Sequence, residues 1–121
     1  MAEKKLVILA THAEDDPDKA TIPFAMANAA LASEIDVTVV LQAEGVRLGT
    51  RDYAKRINAD SFPPLADLMT DFRQMGGTLM ACTPCMKARK IDPSQLLPGT
   101  RAVAAGTIVD ETVTASATFA Y

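Results

Sequence analysis

The stretch Gly76-Gly-Thr-Leu-Met-Ala-Cys-Thr-Pro-Cys-Met-Lys-Ala-Arg89 decides the fold. A Gly-Gly pair that stops one helix precedes a short apolar run, and the run ends in a Cys-x-x-Cys that opens a second helix. Both cysteines of the chain lie here. Pro84 suits a first helical turn, where its missing N–H costs nothing, so Cys82 falls at or just before the cap and Cys85 one turn on. A cysteine at such a junction meets unsatisfied backbone N–H groups and the positive end of the helix macrodipole, and both favour thiolate over thiol. Cys82 is therefore expected to be nucleophilic near neutral pH. Lys87, Arg89 and Lys90, further along the helix, are expected to add a little to that effect.

Upstream of the Gly-Gly stop, Leu65, Leu68, Met69, Phe72 and Met75 recur at helical spacing behind Pro63-Pro64 and predict an amphipathic helix with that stripe in the core. Residues 50–62 lack periodicity and are the expected mobile or partner-facing segment, while 42–50 reads as a loop or short helix. Two apolar runs without alternation, residues 5–10 and 35–41, read as central parallel strands covered on both faces. Between them, Thr21 is expected to cap an Ala-rich helix with Pro23 in its first turn, Ile22, Met26, Ala29 and Ala30 at helical spacing, and an end near Ser33. Downstream of the cysteines, residues 101–106 predict a short strand, 107–115 a helix and 116–120 an edge strand. Strands alternating with helices predict an α/β domain with a mainly parallel sheet of about five strands.

The length of 121 residues, 49% of them hydrophobic, suits a single domain spanning 1–121 with a real core. A net charge of −3 without a basic stripe argues against nucleic-acid binding. The apolar run after the N-terminal lysines is too short for a signal-peptide core or a membrane span, so no membrane partner and a cytoplasmic location are expected. In a reducing compartment a lone Cys-x-x-Cys is catalytic, redox-active or metal-binding more often than a structural staple.

Ligands of parallel α/β folds sit at the carboxyl ends of strands, and His12 and Cys82 both occupy such ends. His12 reads either as a general base or polar neighbour of the thiolate, or as a histidine bonded within its own loop. Arg89 reads either as facing sulfur or an anion, or as a solvated helix cation. The acidic residues Glu14, Asp15, Asp16 and Asp18 fit a solvated loop ahead of a helix N-terminus better than a cation site. A structural zinc site needs four ligands and His12 is the only other soft donor, so no metal site is expected within one chain. No Gly-rich phosphate loop follows the first strand, so no nucleotide or flavin cofactor is expected.

The segment Leu79-Met-Ala-Cys-Thr-Pro-Cys-Met-Lys-Ala-Arg-Lys-Ile91 resembles the DsrE/DsrF-like superfamily, with its TusD-like and YchN-like branches, in which an apolar strand leads to Cys, a further Cys three residues on in the YchN-like branch, then Arg-Gly-(Ile/Val). The first strand with its Ala-rich helix and Gly106–Phe119 resemble the start and close of the family domain, so the resemblance covers nearly the whole chain. It implies a flavodoxin-like three-layer fold, assembly into homo- or hetero-oligomers, commonly trimers or hexamers, and sulfur-relay chemistry. A strand-end cysteine there takes sulfur as a persulfide and hands it on, so the partners it implies are sulfur donor and acceptor proteins or low-molecular-weight persulfides. Cys82 matches that cysteine and Cys85 the second one. Lys90 stands where the family usually has Gly, which puts the helix end in question. Two other readings stay open: a dithiol oxidoreductase cycling a Cys82–Cys85 disulfide, although thioredoxin-like domains carry their motif early, and a non-enzymatic oligomeric binding module.

Overall fold

Apolar runs without alternation become the inner strands of the sheet. In the computed structural model, which describes residues 4–121, β1 (Lys5–Ala10) and β2 (Asp36–Leu41) pair in parallel over their whole length. Val7, Ile8, Val39, Val40 and Leu41 are fully buried, which is what a parallel strand covered on both faces requires. The remaining elements are α1 (Pro17–Ala32), two 3-10 segments (Ala43–Gly49 and Tyr53–Arg56), α2 (Leu65–Gln74), β3 (Thr78–Cys82), α3 (Thr83–Ala88), a 3-10 turn (Pro93–Gln95), β4 (Arg101–Val103), α4 (Ala105–Val113) and β5 (Ala117–Ala120). All five strands are parallel, in the order β4-β3-β2-β1-β5. The steps from β1 to β4 run in one direction along the sheet and the last step to β5 runs back. Right-handed crossovers accordingly place α4 on the face opposite α1 and α2. The result is the flavodoxin-like, three-layer α/β domain. No described helix is long and apolar enough to cross a membrane.

The two helices of the first face lock through aromatic rings and one polar contact. Phe24 and Phe72 meet edge to face, with centroids 5.4 Å apart and planes at 85°. Asn28 Nδ2 donates to the Leu68 carbonyl at 3.0 Å.

Several element boundaries and faces depart from expectation. Helix α1 starts at Pro17, capped by Asp16, whose carboxylate accepts from the Lys19 N–H at 3.1 Å. The expected cap, Thr21, is buried inside the helix and donates its hydroxyl to the Pro17 carbonyl at 2.7 Å, and Pro23 is an interior residue. Asp is the stronger cap, and the acid run ahead of Pro17 complements the helix N-terminus. The buried face of α1 is Ala20, Phe24, Ala27 and Ala30; Met26 is 41% exposed and Ala29 is also exposed. An Ala-rich helix is apolar all round, so its one large ring, Phe24, sets the rotation. In α2, Leu65, Met69 and Phe72 are core as expected, but Met75 is the C-cap and 44% exposed because the chain turns away at Gly76, φ +89°. Residues 50–62 carry a 3-10 turn, and Ala54, Ile57 and Ala59 are buried. β4 stops at Val103 and α4 already starts at Ala105, whereas β5 falls where an edge strand was expected.

Gly45 lets the Ala43–Gly49 segment close over the end of β1. A Cβ there would lie 2.1 Å from the Ala10 carbonyl oxygen, which already accepts from the Gln42 N–H at 3.0 Å. Backbone cannot yield as a flexible side chain can. Gly45→Ala is expected to cost about 3 kcal/mol in urea unfolding, the upper end of overpacking, while Gly106→Ala, in open space, leaves the midpoint unchanged or higher.

Candidate thiol site and its cationic neighbour

β3 delivers Cys82 to the N-cap position of α3, with φ −70° and ψ 119°, and Pro84 occupies the first turn. Cys85 follows one turn on, half-buried, and both thiols are free. Position thus agrees with the sequence, but proton affinity does not. Cys82 is only 8% exposed, and burial pushes its thiol above the ordinary cysteine range. The Cys85 backbone N–H, one turn on, pulls the other way, and the adjacent Cys85 side chain pushes it up again. Burial thus works against the low-pKa thiolate expected from the helix start.

The other sequence candidates lie elsewhere. His12 follows β1, and β2 separates β1 from β3, so His12 and Cys82 stand two strand spacings apart, ~10 Å. His12 Nδ1 instead meets Asp15 Oδ2 at 2.6 Å. The Asp15 carboxyl is held below its usual range, first by the Ala13 N–H at 2.7 Å and then by His12. The rest of the acidic run also has local places: Asp16 caps α1, Asp18 lies in its first turn and Glu14 faces Arg56 at 3.4 Å. Among the described residues no three His, Cys, Asp or Glu side chains gather as a metal site would require.

Arg89 faces neither sulfur nor bulk water. Its Nε donates to Glu44 Oε2 at 2.5 Å and its Nη1 to the Cys85 carbonyl at 3.2 Å. The other Glu44 oxygen accepts from Arg47 Nε at 2.9 Å, so one carboxylate bridges two guanidiniums and, as a result, ionises more readily than a free glutamate. Glu44 and Gly45 were not picked out from the sequence. The Glu44-x-x-Arg47 spacing was a local signal for one contact; Arg89, 45 residues away, gave none.

Lys90 answers the question of the helix end. It adopts φ +56°, the left-handed conformation that glycine prefers. The Ile91 N–H bonds the Met86 carbonyl at 2.9 Å and the Lys90 N–H the Lys87 carbonyl at 3.1 Å, a Schellman close made without glycine.

An all-parallel sheet with a dithiol at the end of β3, and a 3-10 segment closing the neighbouring strand end, defines a class of small thiol-bearing α/β domains. The chain belongs to the DsrE/DsrF-like family, whose sequence profile matches residues 4–119. It is 27% identical over 106 residues to an uncharacterised protein of Methanocaldococcus jannaschii, MJ0760, a match covering 88% of this chain but only 38% of that protein. Its fold matches the crystal structure of the ychN protein from E. coli with a TM-score of 0.82 at 18% identity, over 98% of this chain and 99% of that one. A protein of unknown function from Methanobacterium thermoautotrophicum, MTH1491, matches with a TM-score of 0.78 at 19% identity, over 98% and 100% of the two chains.

Since folding raises the Cys82 pKa above 9.0, the stability this thiol contributes is fully present below that pH and is lost as pH rises through the folded value. Alkylation at Cys82, followed by peptide mass across a pH series, is expected to climb with a midpoint above that of the same cysteine in the denaturant-unfolded chain. A midpoint near neutral pH would show instead that the thiolate is stabilised.

Proposed function

We propose that this chain is a sulfur carrier that loads sulfane sulfur on Cys82 and passes it to a partner thiol. The observation that carries the reading is the position of Cys82, a free thiol at the N-cap of α3 and at the buried end of an inner strand. The backbone N–H groups of the first turn of α3 lack helical partners there and favour negative charge on sulfur, in a place with little water. Membership of the DsrE/DsrF-like family supports the same chemistry.

In the loading step the Cys82 thiol loses its proton and the thiolate attacks the outer sulfur of a donor persulfide, R–S–SH. A new S–S bond forms, the donor S–S bond breaks, and R–S⁻ leaves as Cys82–S–SH is made. In unloading, an acceptor thiolate takes the outer sulfur and Cys82 recovers its electron pair. Neither step changes the total oxidation state, so no external reductant is needed. The high proton affinity of resting Cys82 protects the thiol until a donor or partner surface arrives.

Self-association belongs to this reading. Val109 and Val113 on α4 are 56% and 73% exposed and Phe119 on the edge strand β5 is 37% exposed, an apolar surface that suits a second copy of the chain in a trimer or hexamer. The working compartment is the reducing cytoplasm, where both thiols stay free.

The adjacency of the two cysteines favours one alternative, a dithiol that oxidises to a Cys82–Cys85 disulfide. Intact mass after incubation of reduced protein with an inorganic polysulfide separates them. A reductant-labile gain of one sulfur atom in wild type and Cys85→Ser, absent in Cys82→Ser, is the expected result. Loss of two hydrogens without sulfur uptake would replace the carrier with the oxidoreductase.

A further inference from the structure

At the far end of α3 from Cys82, a cavity of about 430 Å³ opens among Arg47, Arg51, Arg89 and Lys90, with Tyr53 and Gln95 completing its wall. Its volume lies in the range of small-molecule sites. Four cations line it and no carboxylate does, in a chain whose net charge is −3. Glu44, behind the wall, offsets one positive charge by bridging Arg47 and Arg89. Bridging also fixes both guanidiniums in place, so little side-chain freedom is left for a ligand to remove. Among the described residues Arg51 and Lys90 have no ion-pair partner. At the end of α3, Lys90 and Ile91 N–H groups occupy the carbonyls of Lys87 and Met86, and only that of Cys85 engages a wall cation, accepting from Arg89 Nη1.

The backbone adds an independent observation. Lys90 is held at φ +56°, where glycine would fit without strain. Glycine at 90 would relieve the helix end but would remove a cation from the cavity.

We propose that this cavity binds a small-molecule oxyanion carrying two or more negative charges, of the phosphate or carboxylate class. Guanidinium forks match the paired oxygens of both groups. The site stands apart from sulfur transfer and does not depend on Cys82.

Calorimetric titration at low salt, with inorganic pyrophosphate and citrate as probes, tests this on the wild type and the Arg51→Ala, Lys90→Gly and Lys87→Ala variants. Saturable one-to-one binding of either probe is expected, and the tighter probe identifies the class. Arg51→Ala and Lys90→Gly should each weaken it about tenfold, the worth of one charge-assisted hydrogen bond. Lys87→Ala, whose side chain is outside the cavity wall, should leave it unchanged, as should Cys82→Ser. Thermal unfolding discriminates further: Lys90→Gly should lose affinity while its unfolding midpoint stays level or rises. Failure of both probes to saturate, or an equal loss in Lys87→Ala, would overturn the proposal.

Discussion

The carbonyl at the end of β1 holds the upper surface of this domain together. Ala10 accepts from the Gln42 N–H, and Gly45 lies too close to that carbonyl for a Cβ to fit, so the chain leaving β2 folds back as the Ala43–Gly49 3-10 segment. That placement brings Glu44 to Arg47 on its own segment and to Arg89 at the end of α3. Through the Arg89 contact with the Cys85 carbonyl, the same segment steadies the short helix that carries the cysteines. A six-residue helix has little stability of its own. It is ordered by β3 ahead of it, by the Ala43–Gly49 segment against it and by the Schellman close after it.

Helix α3 consequently has two chemically different ends. At its start a buried sulfur stands at the N-cap beside the adjacent Cys85 thiol. At its finish cations gather around an open cavity. A charge brought to one end is separated from the other by a turn of helix whose carbonyls are already paired.

Much of this arrangement was legible in the sequence. Strands buried on both faces read as unbroken apolar runs, so residues 5–10 and 35–41 identified β1 and β2 directly, and the wide spread between apolar and polar faces did the same for α2. Helix α1 was harder, because Asp16-Pro17 and Thr21-x-Pro23 both offer a cap and an early proline, and an Ala-rich surface gives no preferred rotation. The site of Cys82 followed from local spacing, but its proton affinity depends on how much water reaches it, which spacing does not encode. Arg89 was singled out, yet its partner Glu44 lies 45 residues away and no local pattern links them.

The sheet order carries a consequence for how the chain is assembled. β5, the final strand, docks beside β1, the first: Ser116 N–H bonds the Lys5 carbonyl, Tyr121 N–H the Leu9 carbonyl, and Thr11 bonds Tyr121 across a separation of 110 residues. One side of β1 thus stays unpaired until β5, more than a hundred residues later, has been made and docked. Closure of so long a loop is slow, and in that interval the nascent domain presents a bare, apolar parallel edge. For this topology, β5 acts as the latch that ends exposure to aggregation and to the chaperones that recognise it.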